Sequence, residues 1–231
     1  MGYSGILRSM RKAYLVPAIA LLLFTVLCAF AQTGENESMV FQWGILMKLK
    51  DGSTNALDLS QRDVSLDPGE HYQIVLRPMR HANLYLFRND TANGTLQMLF
   101  PADASSFSSD YEEGVRYTAP GKDSWFSGEK DDTFEIILVA SCMPLKRLET
   151  LAKTYLTLLR ISKDETDVKN ARMDVLDEIR ALKKKHSVFA SASERPVPIA
   201  GDPRGEEEEV LLFGAHIETA DFYAKTIRFT R

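Results

Sequence analysis

The side chains best equipped for chemistry are scattered along this chain. Its four histidines, His71, His81, His186 and His216, include no two at metal-ligand spacing from one another, and none lies at that spacing from Cys142. No zinc site follows from them. A histidine works as a general base only when a partner orients its ring and a substrate proton lies within reach. Without such a motif partner, His71 and His216 in strand segments and His81 in a turn read as structural or surface side chains. Nucleophile elbow, phosphate loop and dinucleotide fingerprint are all absent from the sequence. One hydrolytic alternative stays open, a site assembled in space from His81 or His216 with a serine or acid. Cys142 follows the apolar run Ile136 to Ala140, which predicts a small buried side chain rather than a nucleophile. The run Glu206 to Glu209 lacks the spaced oxygen ligands of a calcium loop and reads as a solvated face. No cofactor is implied.

Binding makes smaller demands than catalysis. Between Pro101 and Gly128 the composition turns to Ser, Asp, Gly and Pro, a long surface connection of the kind that carries function. Tyr111, Trp125 and Phe126 are its candidate contact residues. The competing reading is that they, with Phe107, pin the connection to a sheet, since exposed aromatic clusters on monomers are uncommon.

These residues need a scaffold, and hydrophobic period supplies it. Phe41, Trp43, Ile45, Met47 and Leu49 alternate as a half-buried strand that ends at Asp51-Gly52. Tyr72, Ile74 and Leu76 alternate again up to Pro78, which should interrupt the strand. Residues 83 to 100 predict a hairpin turning tightly at Asn93-Gly94, both of which tolerate positive φ. Val115 to Thr118 and Phe134 to Ala140 are further strands. From Pro144, placed as a first-turn residue, the period becomes helical through Leu148, Ala152, Tyr155 and Leu159. Ser162 and Glu165 form a capping box for a second helix with the stripe Val168, Ala171, Val175, Ile179 and Leu182. Lys183 to Lys185 complement that helix's negative end. The expected fold is α+β, a mainly antiparallel sheet or sandwich with a two-helix hairpin and C-terminal strands. The parts are a signal peptide 1–31, a β-rich domain 32–143, a helical hairpin 144–187, an extended acidic linker 188–209 and a C-terminal β-hairpin 210–231 joining the sheet.

The N-terminus predicts export. Arg8, Arg11 and Lys12 precede the uncharged apolar run Ala13 to Phe30, and Ala29-Phe30-Ala31 offers small side chains for cleavage between Ala31 and Gln32. About 18 apolar residues is also the lower limit for spanning a bilayer, so an uncleaved anchor is the alternative. Loss of the leader's three basic residues takes the formal charge from −4 to −7. An acidic chain is a poor partner for nucleic acid. Cleavage also removes Cys28, leaving Cys142 alone without an intramolecular disulfide, which suits a periplasmic protein better than one released into a harsh exterior.

Leu84-Tyr85-Leu86-Phe87, Asp90, Gly94 and Leu99-Phe100-Pro101, followed by Tyr117-Thr118-Ala119-Pro120, Val139-Ala140-Ser141 and Pro144-Leu145, stand in an order that resembles the bacterial family called domain of unknown function 4384. The resemblance covers roughly residues 64 to 146. It implies a compact β-rich module of bacterial envelope proteins, in some proteins attached to proteases or kinases but not itself known as an enzyme, and it carries over no catalytic residue. The helical hairpin and C-terminal strands lie outside the usual module. The expected function is an exported, non-catalytic binding or accessory module of the cell envelope, with an envelope protein or cell-wall component as partner. A hydrolase with a spatially assembled site and a structural assembly subunit using the helical hairpin are the alternatives.

Overall fold

The computed structural model describes residues 38–102, 107, 112–127, 133–187, 192–200 and 212–230. The leader 1–31 with its junction at Ala31 and Gln32, the candidate Tyr111 and the acidic run 206–209 lie outside the described residues. In chain order the strands are β1 (Met39–Lys48), β2 (Thr54–Ala56), β3 (Asp63–Ser65), β4 (His71–Arg80), β5 (Asn83–Asp90) and β6 (Thr95–Phe100). They continue with β7 (Tyr117–Ala119), β8 (Phe126–Ser127), β9 (Phe134–Ser141), β10 (Ser193–Ala200), β11 (Leu212–Thr219) and β12 (Phe222–Thr230). Helices α1 (Lys146–Ile161) and α2 (Glu165–His186) lie between β9 and β10. The fold is α+β and mostly antiparallel. One sheet has the order β10-β11-β1-β4-β7, with β2 added to β1 and β8 to β4; the other runs β3-β12-β9-β5-β6.

Alternation assigns each side chain to a layer. On β1 and β4 the alternating set Phe41, Trp43, Ile45, Tyr72, Ile74 and Leu76 points into a core shared with the second sheet. That second sheet is covered twice. Leu84, Leu86, Ile136 and Leu138 face the first sheet, whereas Tyr85, Phe87, Ile137 and Val139 face the helices. Burial on both faces is the reason that β5 and β9 read as continuous apolar runs while β1 and β4 alternate. The helices bury Leu148, Ala152, Tyr155, Val175 and Ile179 against this outer face. The Tyr85 hydroxyl anchors them: it accepts from the Leu145 N–H at 3.0 Å and donates to Glu149 Oε1 at 2.7 Å.

Several local expectations are corrected by this packing. Pro78 does not interrupt β4; the register shifts at Val40/Phe41, so the proline sits beside a bulge where a ladder donor is dispensable. Residues 91–94 form a four-residue loop rather than a two-residue turn, and only Gly94 of the Asn-Gly pair has positive φ, at 66°. Asn93 is held instead by Asp90. Pro144 precedes the helix, whose N-cap is Leu145. Asp164, not Ser162, caps α2 by accepting from Thr166 N–H at 2.8 Å, while Ser162 closes α1 through its own N–H to the Leu158 carbonyl. Part of the expected linker 188–209 is the edge strand β10, in which Pro196 and Pro198 share a parity that turns their missing donors to one side. The C-terminal strands are not a hairpin: β11 pairs with β1 and β10 in the first sheet, and β12 with β9 and β3 in the second. Two residues, Ala220 and Asp221, carry the chain around the corner between sheets. His81 and Ala82 do the same between β4 and β5, with His81 at φ 46°.

Candidate functional site

Trp125 and Phe126 do not stand on a free loop. The buried side-chain amide of Gln73 donates to the carbonyls of Gly121, Lys122 and Ser124 at 2.7, 3.0 and 2.9 Å, fastening that segment to β4. Phe126 then stacks on Tyr72, with centroids 5.0 Å apart, and Tyr72 continues the stack to Phe134 and Phe229. Trp125 packs against Leu46, Val75 and Ile199 on the other face of the same sheet. Phe107 is buried too, beside Tyr85 and beneath the Lys153 ammonium. For these three aromatics, pinning of the connection is what the structure shows; Tyr111 lies outside the described residues.

Trp125 and Phe126 nonetheless line a cleft of about 460 Å³ between the end of the β5–β6 hairpin and the segment leading into β8. The hairpin contributes Arg88, Asp90, Asn93, Thr95 and Gln97, and the other side adds Pro120 and Ser127. Arg88 is fixed over the Phe134 ring, 4.5 Å from its centroid. Asp90 accepts from the Asn93 N–H at 2.8 Å and from its side-chain amide at 3.0 Å. Burial pushes the Asp90 carboxyl upward, but those bonds, with Arg88 nearby, outweigh it and hold the group below the ordinary aspartate value. The cleft therefore presents a guanidinium, an ionised carboxylate, amides and hydroxyls beside an aromatic surface. Such a set can bind and orient a polar ligand; neither histidine nor cysteine lines it.

The histidines lie elsewhere. His81 occupies the corner between sheets, where its backbone N–H donates to Glu113 Oε1 at 3.1 Å. His216 lies between Gln42 and Arg195 in register. His186 is paired with a carboxylate, Nδ1 to Asp221 Oδ2 at 2.7 Å, and its ring stacks on Phe222. Helical spacing alone could not reveal that pair, because Asp221 arrives from the other end of the fold. Among the described residues no group of three or more His, Cys, Asp or Glu is placed to hold a metal ion. Cys142 is half-buried, its thiol donating to the Ala220 carbonyl at 3.1 Å. No protein-family model, curated protein or solved structure matches the chain. Among the described residues no helix is long and apolar enough to cross a membrane.

Proposed function

We propose that this chain is an exported, non-catalytic binding module of the bacterial cell envelope, and that it takes its ligand in the cleft between β6 and β8. The cleft carries the reading: charged and amide groups sit beside aromatic side chains on strands that packing holds in place. Its lining falls wholly within residues 64 to 146, the part that resembles domain of unknown function 4384. The cationic, then apolar, then small-residue order of the leader supports export to the periplasm or beyond. A cell-wall polymer or an envelope protein, each rich in hydroxyl and amide groups, matches the polar lining.

Retention on purified peptidoglycan sacculi and capture from envelope extracts test the reading together. Gln97 and Ser127 are exposed and line the cleft, so a Gln97→Ala/Ser127→Ala double variant should fold normally. Loss of two hydrogen bonds predicts binding weaker by roughly tenfold or more. Capture that the double variant leaves unchanged would remove the cleft from consideration. N-terminal sequencing of the exported protein should find Gln32 first, and a retained leader would replace release by tethering.

A further inference from the structure

A second cleft, on the opposite side of the β3-containing sheet from the sandwich core, has a different chemistry. Its volume is about 730 Å³, and it lies between the outer face of that sheet and the C-terminal half of α2. A polar row crosses its floor. Asn89, Glu135, Arg228 and Asp63 occupy matching register positions on β5, β9, β12 and β3. Asn89 Nδ2 donates to Glu135 Oε2 at 2.9 Å, and Arg228 reaches Glu135 at 3.4 Å and Asp63 at 3.6 Å. From α2, Arg172 donates to Asn89 Oδ1 at 2.7 Å and extends the row to the helix. Along this row each carboxylate already has a cationic partner.

The cleft's other charges do not cancel. Arg180 pairs with Asp177 on its own helix, and Lys225 pairs with Glu194 of the other sheet. Lys183 and Arg62 remain, both lining the cleft and both without a carboxylate partner among the described residues. A lysine serving only the helix dipole would fold back over its own carbonyls. Lys183 instead reaches across to Thr226 Oγ1 at 3.1 Å. Thr226 and Arg228 are two apart on one face of β12, which separates their backbones by roughly 6.6 Å. An ammonium and a hydroxyl thus meet in the cleft of an otherwise acidic protein, with Arg62 and Arg228 among its lining. Ile137, Leu176, Ile179 and Ala224 line the same cleft and leave it an apolar wall.

We propose that this cleft binds a phosphate ester, with the phosphoryl oxygens taken by Lys183, Arg62 and the Thr226 hydroxyl and the organic body laid against the apolar wall. Lysine as a point charge and arginine as a planar fork are the pair that suits phosphate oxygens. The ester is a soluble metabolite or the headgroup of an anionic lipid. Titration of the full chain with inorganic phosphate and with phenyl phosphate, at constant ionic strength, reads the first source; flotation with phosphatidylglycerol vesicles reads the second. Phenyl phosphate should bind about tenfold tighter than inorganic phosphate, because its ring adds apolar burial. An Arg62→Gln/Lys183→Gln double variant should weaken binding at least tenfold with an unchanged circular dichroism spectrum. Lys183→Met, which keeps the stem packed, should also weaken it. Loss of either phenyl phosphate or vesicle binding in these variants supports the site and names its source. No saturable binding to either probe, or binding that the variants leave intact, overturns it.

Discussion

At the level of single residues, the polar groups that matter most are those that hold backbone in place. Asp90 is the clearest case, since one carboxylate organises the 91–94 loop and lines the first cleft. Its folded pKa lies below the unfolded value of about 3.9, so the folded state favours the ionised form. That stability is fully present above the unfolded value and is lost as pH falls through the lower folded one. Denaturant unfolding followed from pH 6 down to pH 2 should show this loss, and Asp90→Asn should remove that share of the pH dependence. At neutral pH the same substitution is expected to cost about 1.5–3 kcal/mol, the value of a hydrogen bond to a charged group. Tyr223 moves the other way. Burial, then the charge and hydrogen bond of Glu194, push its phenol far upward against a smaller opposing effect of Trp43, so it remains a neutral donor to the edge strand at 3.0 Å. Neither role was legible in the residue types alone: the loop that Asp90 holds is longer than the tight turn expected at Asn93-Gly94, and the partner of Tyr223 comes from β10, a segment whose prolines suggest a linker.

Among the elements, β1 and β11 show how closely strands here approach. Gly44 and Gly214 face each other across that pair, with Ile199 of β10 laid over both. A Cβ on Gly214 would run into the Trp43 carbonyl oxygen and the Ile199 side chain, so backbone as well as side chain would have to move. Gly214→Ala is expected to destabilise the protein by about 2–3 kcal/mol, at the upper end for overpacking, measured as a lower denaturant midpoint with unchanged slope. Gly52→Ala offers a contrast. Nothing lies near its would-be Cβ, and its φ of 87° alone sets a cost of about 1 kcal/mol. Strand and helix positions were legible from period, with β1, β4, β5, β9, α1 and α2 near their expected ranges. Their ends were not, because caps and bulges depend on neighbours: Ser162 has the chemistry of an N-cap, yet Asp164 stands where the first free N–H groups of α2 point.

For the molecule as a whole, the second sheet is the middle of three layers. Its core strand β9 is buried on both faces and lies between β5 and β12, so its amides open only when the layers separate. Hydrogen exchange should therefore be slowest in β9, close to the global unfolding limit, and fastest in the edge strand β10 among the strands of the first sheet. Protection of β10 equal to that of β9 would contradict the layering. The same arrangement bears on assembly. Covering the outer face of this sheet consumes the apolar stripe of the helical hairpin, and what the hairpin leaves exposed is Leu159 and Ile161 near its bend.

By itself the sequence determined the alphabet of the fold. Period two and period 3.6 follow from backbone geometry, so the strands, the helical hairpin and the α+β class could be read from the spacing of apolar residues. It also singled out Trp125 and Phe126 but could not say whether they were rim or anchor. Only the tertiary structure decided which strands share a sheet. A two-residue link such as Ala220-Asp221 serves a hairpin or a corner equally well, and the choice depends on whether the next apolar face is needed in the same layer. Once β12 enters the second sheet, Arg228 meets Glu135 and Asp63, and Lys183 meets Thr226. Contacts between residues 43 to 165 positions apart have no local signature, and the second cleft is made of such contacts.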